Sequence, residues 1–207
     1  EKILAKLFIM GPSRSGKSLL EHILAENSEV KTLREIIKHN ELSKTPGFKK
    51  HASELLFQKL FSRREGNLFD KGYKIVTSTN PGSIFYSDYL LDMLPSAYFI
   101  IVKRDPRDIL PEIFTSEYNR ENFYSYDVNE IKKYLDVYYQ VFEALVLKVP
   151  DRCLSVSFKD IVQAPEDVLA RISRLVGISL SVGDFTQNVA NFEYESLFRN
   201  YYAALSN

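Results

Sequence analysis

Blocks of hydrophobic and polar positions alternate along this chain in a way that predicts alternating strands and helices. Four short apolar runs, 4–10, 73–77, 97–102 and 153–157, are typical of buried strands. Apolar residues recur at helical spacing over 19–24, 52–62, 82–94, 107–118, 128–148 and 165–176. Strands that alternate with helices indicate an α/β fold in which a central parallel sheet is flanked by helices.

Residues near the predicted boundaries suit the ends of helices. Asp105 suits an N-cap, and Pro106 suits the first turn of the helix that follows the third predicted strand. Gly177 suits the end of the helix that begins after Pro165. The third strand is therefore expected to lead through a short loop straight into a helix N-terminus.

The first predicted strand leads into the sequence GPSRSGKS over residues 11–18, which fits G-x-x-x-x-G-K-S, and a helix follows. Glycines let such a loop turn tightly, and its N–H groups and the helix N-terminus then point at a phosphate. Lys17 can reach a terminal phosphate, and Ser18 can hold Mg²⁺ or donate to an oxygen. Arg14 and Lys17 bring two cations to a helix N-terminus, where a bound anion relieves them. This P-loop predicts an anion or nucleotide site.

Composition narrows the function classes. The chain has 207 residues, with 27 Lys+Arg balancing 27 Asp+Glu. The length fits one domain over 1–207, which can be part of a longer chain, and the balanced charge argues against a nucleic-acid partner. One cysteine and three scattered histidines predict no disulfide and no metal cluster. No apolar run predicts a membrane span. We expect a cytoplasmic location of bacterial type, while a lumenal one with a removed signal-anchor stays open.

Three blocks carry a resemblance to a known family. They are FIMGPSRSGKSLL at 8–20, YFIIVKRDPRD at 98–108, and a stretch at 155–178 that opens with SVSFKDIV. In this order they resemble the 5′-phosphosulfate loop, the 3′-phosphate strand-loop-helix and a later segment of the sulfotransferase superfamily, in the style of its tyrosylprotein and bacterial branch. The resemblance implies a P-loop-type three-layer fold. It also implies transfer of a sulfuryl group from 3′-phosphoadenosine 5′-phosphosulfate (PAPS) to a hydroxyl of a small molecule, glycan or peptide tyrosine.

The resemblance also implies roles for single residues. The 5′ side of PAPS is assigned to Arg14, Ser15, Gly16, Lys17 and Ser18. Its 3′-phosphate is assigned to Arg104, with Ser116 as a weaker candidate. Glu35 takes the place of the base that accepts the acceptor's proton, although a surface carboxylate at a helix start is an equal alternative. Arg14 is expected to stabilise the sulfuryl oxygens as charge develops.

Five positions depart from the family's pattern, namely Ser13, Lys17, Thr79, Glu112 and Phe158. Lys17 can replace a catalytic lysine that is missing at position 79, because a P-loop ammonium can neutralise a leaving phosphate. A Glu112 carboxylate ~4 Å from a 3′-phosphate costs on the order of 1–4 kcal/mol at surface-like dielectric. Glu112 therefore either points away, leaving Ser116 to bind, or the ligand has no 3′-phosphate.

Two other functions stay open beside the sulfotransferase. Lys17 and Glu112 suit an ATP-dependent phosphotransferase that uses Mg²⁺. The missing lysine at position 79 suits a domain that binds a nucleotide or a partner without catalysis. The basic segment 38–51 is expected to be solvated surface rather than an acceptor-binding lid. The tyrosines near 118–139 are expected to pack a helix rather than to frame an acceptor pocket. The aromatic tail 192–205 suits a docking helix, a homodimer face or part of the core.

Overall fold

The computed structural model describes residues 4–33, 68, 70–94, 96–118 and 122–184. Over these residues, five parallel strands form one sheet in the order β2-β3-β1-β4-β5. The strands are β1 Ala5–Met10, β2 Val30–Thr32, β3 Ile75–Ser78, β4 Ala97–Lys103 and β5 Cys153–Ser157. The α helices are α1 Lys17–Ala25, α2 Ser87–Met93, α3 Pro106–Phe114, α4 Val128–Lys148, α5 Phe158–Gln163 and α6 Pro165–Val176. Short 3₁₀ helices span Pro81–Tyr86, Phe123–Tyr126 and Pro150–Arg152.

The sheet separates two hydrophobic cores, as the predicted three-layer α/β fold requires. Along β1, whose six residues are all buried, Leu7 and Ile9 pack into the core shared with α1, α5 and α6. Phe8 and Met10, which point to the opposite face, pack into the core shared with α2 and α4. This alternation follows from the period of two along a strand, and the mostly apolar run, in which Lys6 is the exception, follows from burial on both faces.

The helix ends confirm the boundary signals. The Asp105 side chain caps α3 by accepting a hydrogen bond from the backbone N–H of Arg107 at 2.9 Å. Gly177 ends α6 with a positive φ of 70°, a left-handed conformation that favours glycine. The loop after β4 is thereby short, and it delivers the N-terminus of α3 to the edge of the sheet where β4 ends.

Two elements were not predicted. β2 is an edge strand of three residues in which only Val30 is buried, so the sequence offers no alternation long enough to indicate a strand. Helix α5 begins with a capping box in which Ser157 accepts from the backbone of Asp160, a signal that the sequence did contain.

Topology brings the important loops together. β1 is central, with β3 on one side and β4 on the other, and all three run in parallel. Their carboxyl ends therefore lie at one edge of the sheet, where ligands of open α/β folds bind. The P-loop after β1, the segment after β3 and Arg104 after β4 meet at this edge.

Several predictions fall outside the described residues: Glu35, the basic segment 38–51, the predicted helix 52–62 and the aromatic tail 192–205. Within the described ranges, every helix is too short or too polar to cross a bilayer.

Candidate functional site

Two residues of the P-loop have a left-handed backbone conformation, which suits a loop whose N–H groups face a bound anion. Arg14 has a φ of 65° and is the one non-glycine residue with positive φ in the described part of the chain. Gly16, two residues later, has a φ of 102°. Left-handed residues among right-handed ones produce a concave run of N–H donors, which is the usual anion cradle of such loops. Helix α1 begins at once after Gly16, so its N-terminus faces the same point.

Two glycines are required by close packing. A Cβ at Gly11 would overlap the Ser15 hydroxyl, and a Cβ at Gly16 would overlap the ring of Phe158. Ser15 is fully buried beneath the loop. The Ser15 hydroxyl therefore fills the space beside Gly11 that a Cβ would need.

Lys17 is buried within the P-loop. Its Nζ donates to the Pro12 carbonyl at 2.7 Å, and only 6% of the residue is exposed. The ammonium is therefore held across the loop, close to where the cradle opens.

A cavity of about 620 Å³ opens at the P-loop. This volume suits a small-molecule ligand. The cavity is lined by Ser13, Arg14, Gly16, Lys17, Ser18, Leu19, His22, Pro81, Arg104, Tyr118 and Phe158. Five of the predicted binding residues thus share one cavity. Among the described residues, the lining contains the cations of Arg14, Lys17 and Arg104 and no carboxylate, so this part of the cavity favours an anion.

Ser116 and Ser15, which were also predicted to bind, are not among the residues that line this cavity. The Ser116 hydroxyl donates to the backbone carbonyl of Glu112 one turn earlier, the usual local bond of a serine at a helix end.

Arg104 joins the two loops of the site. Its side chain is only 8% exposed, and its Nη1 donates to the backbone carbonyl of Arg14 at 2.8 Å. Its Nη2 donates to Glu112 Oε1 at 2.7 Å. The guanidinium carbon lies 4.4 Å from the ring centroid of Phe158, a cation–π distance. Glu112 therefore points toward Arg104, contrary to the alternative in which it points away.

Comparison with known proteins adds the family. A sequence profile described as "Sulfotransferase family" matches residues 6–181, which include the five strands of the sheet except the first residue of β1. The chain belongs to the sulfotransferase family. No curated protein matches the sequence at a significant level.

Solved sulfotransferases share the fold. The sulfotransferase domain from the curacin biosynthetic pathway is 16% identical with a TM-score of 0.58, covering 98% of this chain and 87% of that one. A sulfotransferase from Alicyclobacillus acidocaldarius is 18% identical with a TM-score of 0.58, covering 98% and 91%. One from Mycobacterium tuberculosis is 14% identical with a TM-score of 0.60, covering 94% and 73%. At such identities the likeness shows the fold.

Two consecutive tyrosines of α4 form hydrogen bonds to the backbone of the P-loop and of the loop after β4. The Tyr138 hydroxyl accepts from the Gly11 N–H at 3.2 Å and lies within donating distance of the carbonyls of Gly11 (2.9 Å) and Pro81 (2.7 Å). The Tyr139 hydroxyl donates to the Arg104 carbonyl at 2.8 Å. Tyr124 is hydrogen-bonded to Ser13 and stacks on Tyr134 with 4.0 Å between ring centroids. These tyrosines were expected to pack a helix, with an acceptor pocket as the alternative.

Replacing Tyr138 by phenylalanine should destabilise the protein. The Gly11 N–H would lose its buried acceptor, which costs about 1–3 kcal/mol. Urea unfolding measures the loss, and Tyr126→Phe is the matched control because Tyr126 is exposed and its hydroxyl donates to the Tyr118 carbonyl at the surface. Equal losses in the two variants would show that the Tyr138 hydroxyl does not hold the P-loop.

Alkaline pH should weaken the same support. Burial raises the pKa of Tyr139 to about 12 from an ordinary value of 10.0, and burial also raises the pKa of Tyr134 and Tyr138. Because the folded state holds the Tyr139 proton more tightly, its contribution to stability is complete below about pH 10 and is lost as the pH rises through about 12. The free energy of unfolding, measured in urea, should start to fall near pH 10, by up to about 1.4 kcal/mol per pH unit for Tyr139. The fall should be shallower in Tyr139→Phe, and parallel curves would contradict the assignment.

Sequence reasoning missed several residues of the cavity. Leu19, His22 and Pro81 line it without having been predicted, and Tyr118 was covered only by the alternative of an acceptor pocket. Leu19 and His22 follow the P-loop on α1, so the helical period could have placed them near its first turn. Pro81 and Tyr118 come from distant segments, and no local signal in the sequence indicates their position.

Proposed function

We propose that this protein transfers a sulfuryl group from PAPS to a hydroxyl-bearing acceptor. The observation that carries the proposal is the shared cavity of the P-loop and Arg104, in a chain of the sulfotransferase family. The cradle formed by Arg14 and Gly16 and the cation of Lys17 suit the phosphosulfate. Arg104, on the far side of the P-loop, suits the 3′ side of the nucleotide. The acceptor is proposed to be a small molecule, a glycan or a peptide tyrosine.

The chemistry needs one proton acceptor and two stabilising cations. The acceptor oxygen attacks the sulfur, the bond between sulfur and the 5′-phosphate oxygen breaks, and the acceptor proton goes to the Glu35 carboxylate. Arg14 stabilises charge on the sulfuryl oxygens, and Lys17 stabilises the leaving phosphate. 3′-Phosphoadenosine 5′-phosphate is the product that leaves.

The position of β2 supports Glu35 as the base. β2 pairs in parallel with β3, and the backbone N–H of Leu33 continues the pairing by donating to the Thr77 carbonyl at 3.0 Å. The chain therefore leaves β2 at the edge of the sheet where the P-loop lies. Glu35 follows two residues after Leu33 in the sequence.

Calorimetric titration tests the function. We expect 3′-phosphoadenosine 5′-phosphate to bind in the presence of EDTA, because no step of sulfuryl transfer uses a metal ion. A phosphotransferase is the second candidate, favoured by Lys17 and by the Arg104–Glu112 pair. In that case ADP would bind with Mg²⁺ and neither nucleotide would bind in EDTA. A non-catalytic domain would bind a nucleotide and show no transfer.

Replacing Glu35 by glutamine should lower turnover about 10²–10⁴-fold and leave nucleotide affinity within about threefold. The reverse reaction gives a readout that does not need the natural acceptor: 4-nitrophenyl sulfate supplies the sulfuryl group, 3′-phosphoadenosine 5′-phosphate accepts it, and nitrophenolate is released. Glu29→Gln is the matched control, since Glu29 is a half-exposed carboxylate paired with Lys74 just before β2. If binding falls as far as turnover, Glu35 is structural.

A further inference from the structure

The guanidinium that the proposed function assigns to a 3′-phosphate already holds a carboxylate of the chain itself. Glu112 Oε1 accepts from Arg104 Nη2 at 2.7 Å, and Glu112 lies eight residues after Arg104 on helix α3. The other terminal nitrogen, Nη1, donates to the Arg14 carbonyl at 2.8 Å. Both ends of the guanidinium fork therefore have partners inside the protein.

The pair is held firmly. The Arg104 side chain is 8% exposed and lies on the ring of Phe158, while the Tyr139 hydroxyl fixes its backbone carbonyl. The Glu112 side chain is 31% exposed, and Glu112 stands next to Arg104 without lining the cavity itself. Any anionic group that approaches Arg104 from the cavity competes with this carboxylate for the same guanidinium and meets its negative charge.

We propose that Glu112 is a specificity-determining residue of the nucleotide site, and that it cancels the preference for a 3′-phosphate over a 3′-hydroxyl. The proposal rests on the proposed function, because it takes the ribose 3′ side of the nucleotide to face Arg104. A 3′-hydroxyl can donate to the Glu112 carboxylate, whereas a 3′-phosphate can only accept and must displace it. Arg104 then contributes little net affinity for the 3′-phosphate while Glu112 is present.

The experiment compares two nucleotides that differ only at the 3′ position. Calorimetry in EDTA measures 3′-phosphoadenosine 5′-phosphate and AMP against the wild-type protein and Glu112→Ser. We expect the wild-type protein to bind the two within about threefold of each other. In Glu112→Ser we expect the 3′-phosphorylated nucleotide to gain about tenfold or more, which corresponds to about 1.4 kcal/mol, while AMP changes by less than about threefold.

Matched variants separate charge from other effects. Glu112→Gln keeps the shape and an acceptor oxygen but removes the charge, so it should raise the affinity for the 3′-phosphorylated nucleotide by about threefold or more. Glu130→Gln, which removes an exposed carboxylate of α4 that pairs with Lys133, should change neither nucleotide. The gain in affinity for the 3′-phosphorylated nucleotide must disappear in the double variant Glu112→Ser with Arg104→Ala, because Arg104 is the group proposed to bind the 3′-phosphate.

The outcomes are distinct. The proposal is overturned if the wild-type protein prefers the 3′-phosphorylated nucleotide by about tenfold or more, or if neither Glu112 variant changes the ratio. It is also overturned if Glu112→Ser and Glu112→Gln weaken both nucleotides equally, since Glu112 would then only orient Arg104. If neither nucleotide binds the wild-type protein in EDTA, the proposed function itself fails.

Discussion

Gly16→Ala should abolish nucleotide binding and lower the free energy of unfolding by about 3–5 kcal/mol. Gly16 has a φ of 102°, which strains any residue with a Cβ, and the added methyl group would overlap the ring of Phe158. The loop can relieve the overlap only by moving away from Phe158, and the N–H cradle moves with it. Calorimetry with 3′-phosphoadenosine 5′-phosphate and urea unfolding measure the two effects.

Gly177→Ala is the matched control. Gly177 also has a positive φ, 70°, but nothing lies within 4 Å of the position its Cβ would take. We expect only the conformational strain there, about 1–2 kcal/mol, with nucleotide binding unchanged. In a protein that already carries Phe158→Ala, Gly16→Ala should likewise lower the free energy of unfolding only by the strain of a positive φ. If Gly16→Ala is as mild as Gly177→Ala in the full chain, the ring of Phe158 does not shape the P-loop.

Lys17→Ala should weaken the binding of 3′-phosphoadenosine 5′-phosphate by about 10–150-fold, because hydrogen bonds to charged groups contribute about 1.5–3 kcal/mol. Lys17 lines the cavity, and its ammonium already sits inside the loop on the Pro12 carbonyl. A bound 5′-phosphate offers this ammonium an anionic partner at the helix N-terminus. Calorimetry in EDTA gives the loss directly.

Lys103→Ala controls for loss of positive charge near the site. Lys103 ends β4 one residue before Arg104, and its partly exposed ammonium pairs with Glu143 at 2.6 Å. Its removal should leave nucleotide affinity within about threefold. A thermal melt of both variants excludes unfolding as the cause. Equal effects of the two substitutions would mean that Lys17 acts through general charge, and no effect of Lys17→Ala would remove it from the site.

The sequence predicted the parts of this protein whose signals are local. β1, the P-loop and α1 are contiguous, and so are β4, Arg104 and the capped start of α3. The short edge strand β2 was not predicted, because its pairing with β3, rather than its own pattern, makes it a strand. The role of Glu35 stays a prediction, because that residue lies outside the described part of the chain.

The partnerships inside the site could not be predicted in the same way. Arg104 and Glu112 were both identified, but the direction of the Glu112 side chain depends on the packing of Arg104 against Phe158, a residue of another element. Tyr138 appeared only as one apolar position of an amphipathic helix. Its hydroxyl contacts depend on where α4 crosses the end of β1, and the helical period carries no information about that crossing.

The contact between Tyr138 and Gly11 also bears on how the protein is made. These residues are 127 positions apart, and a ribosome releases the P-loop long before it releases α4. During synthesis, the P-loop therefore emerges before Tyr138 can form the hydrogen bonds that fix Gly11. A nascent chain arrested before α4 emerges would carry the whole of GPSRSGKS without the support of Tyr138. The site should thus be among the last parts of the molecule to reach its final form, although its sequence is among the first to be translated.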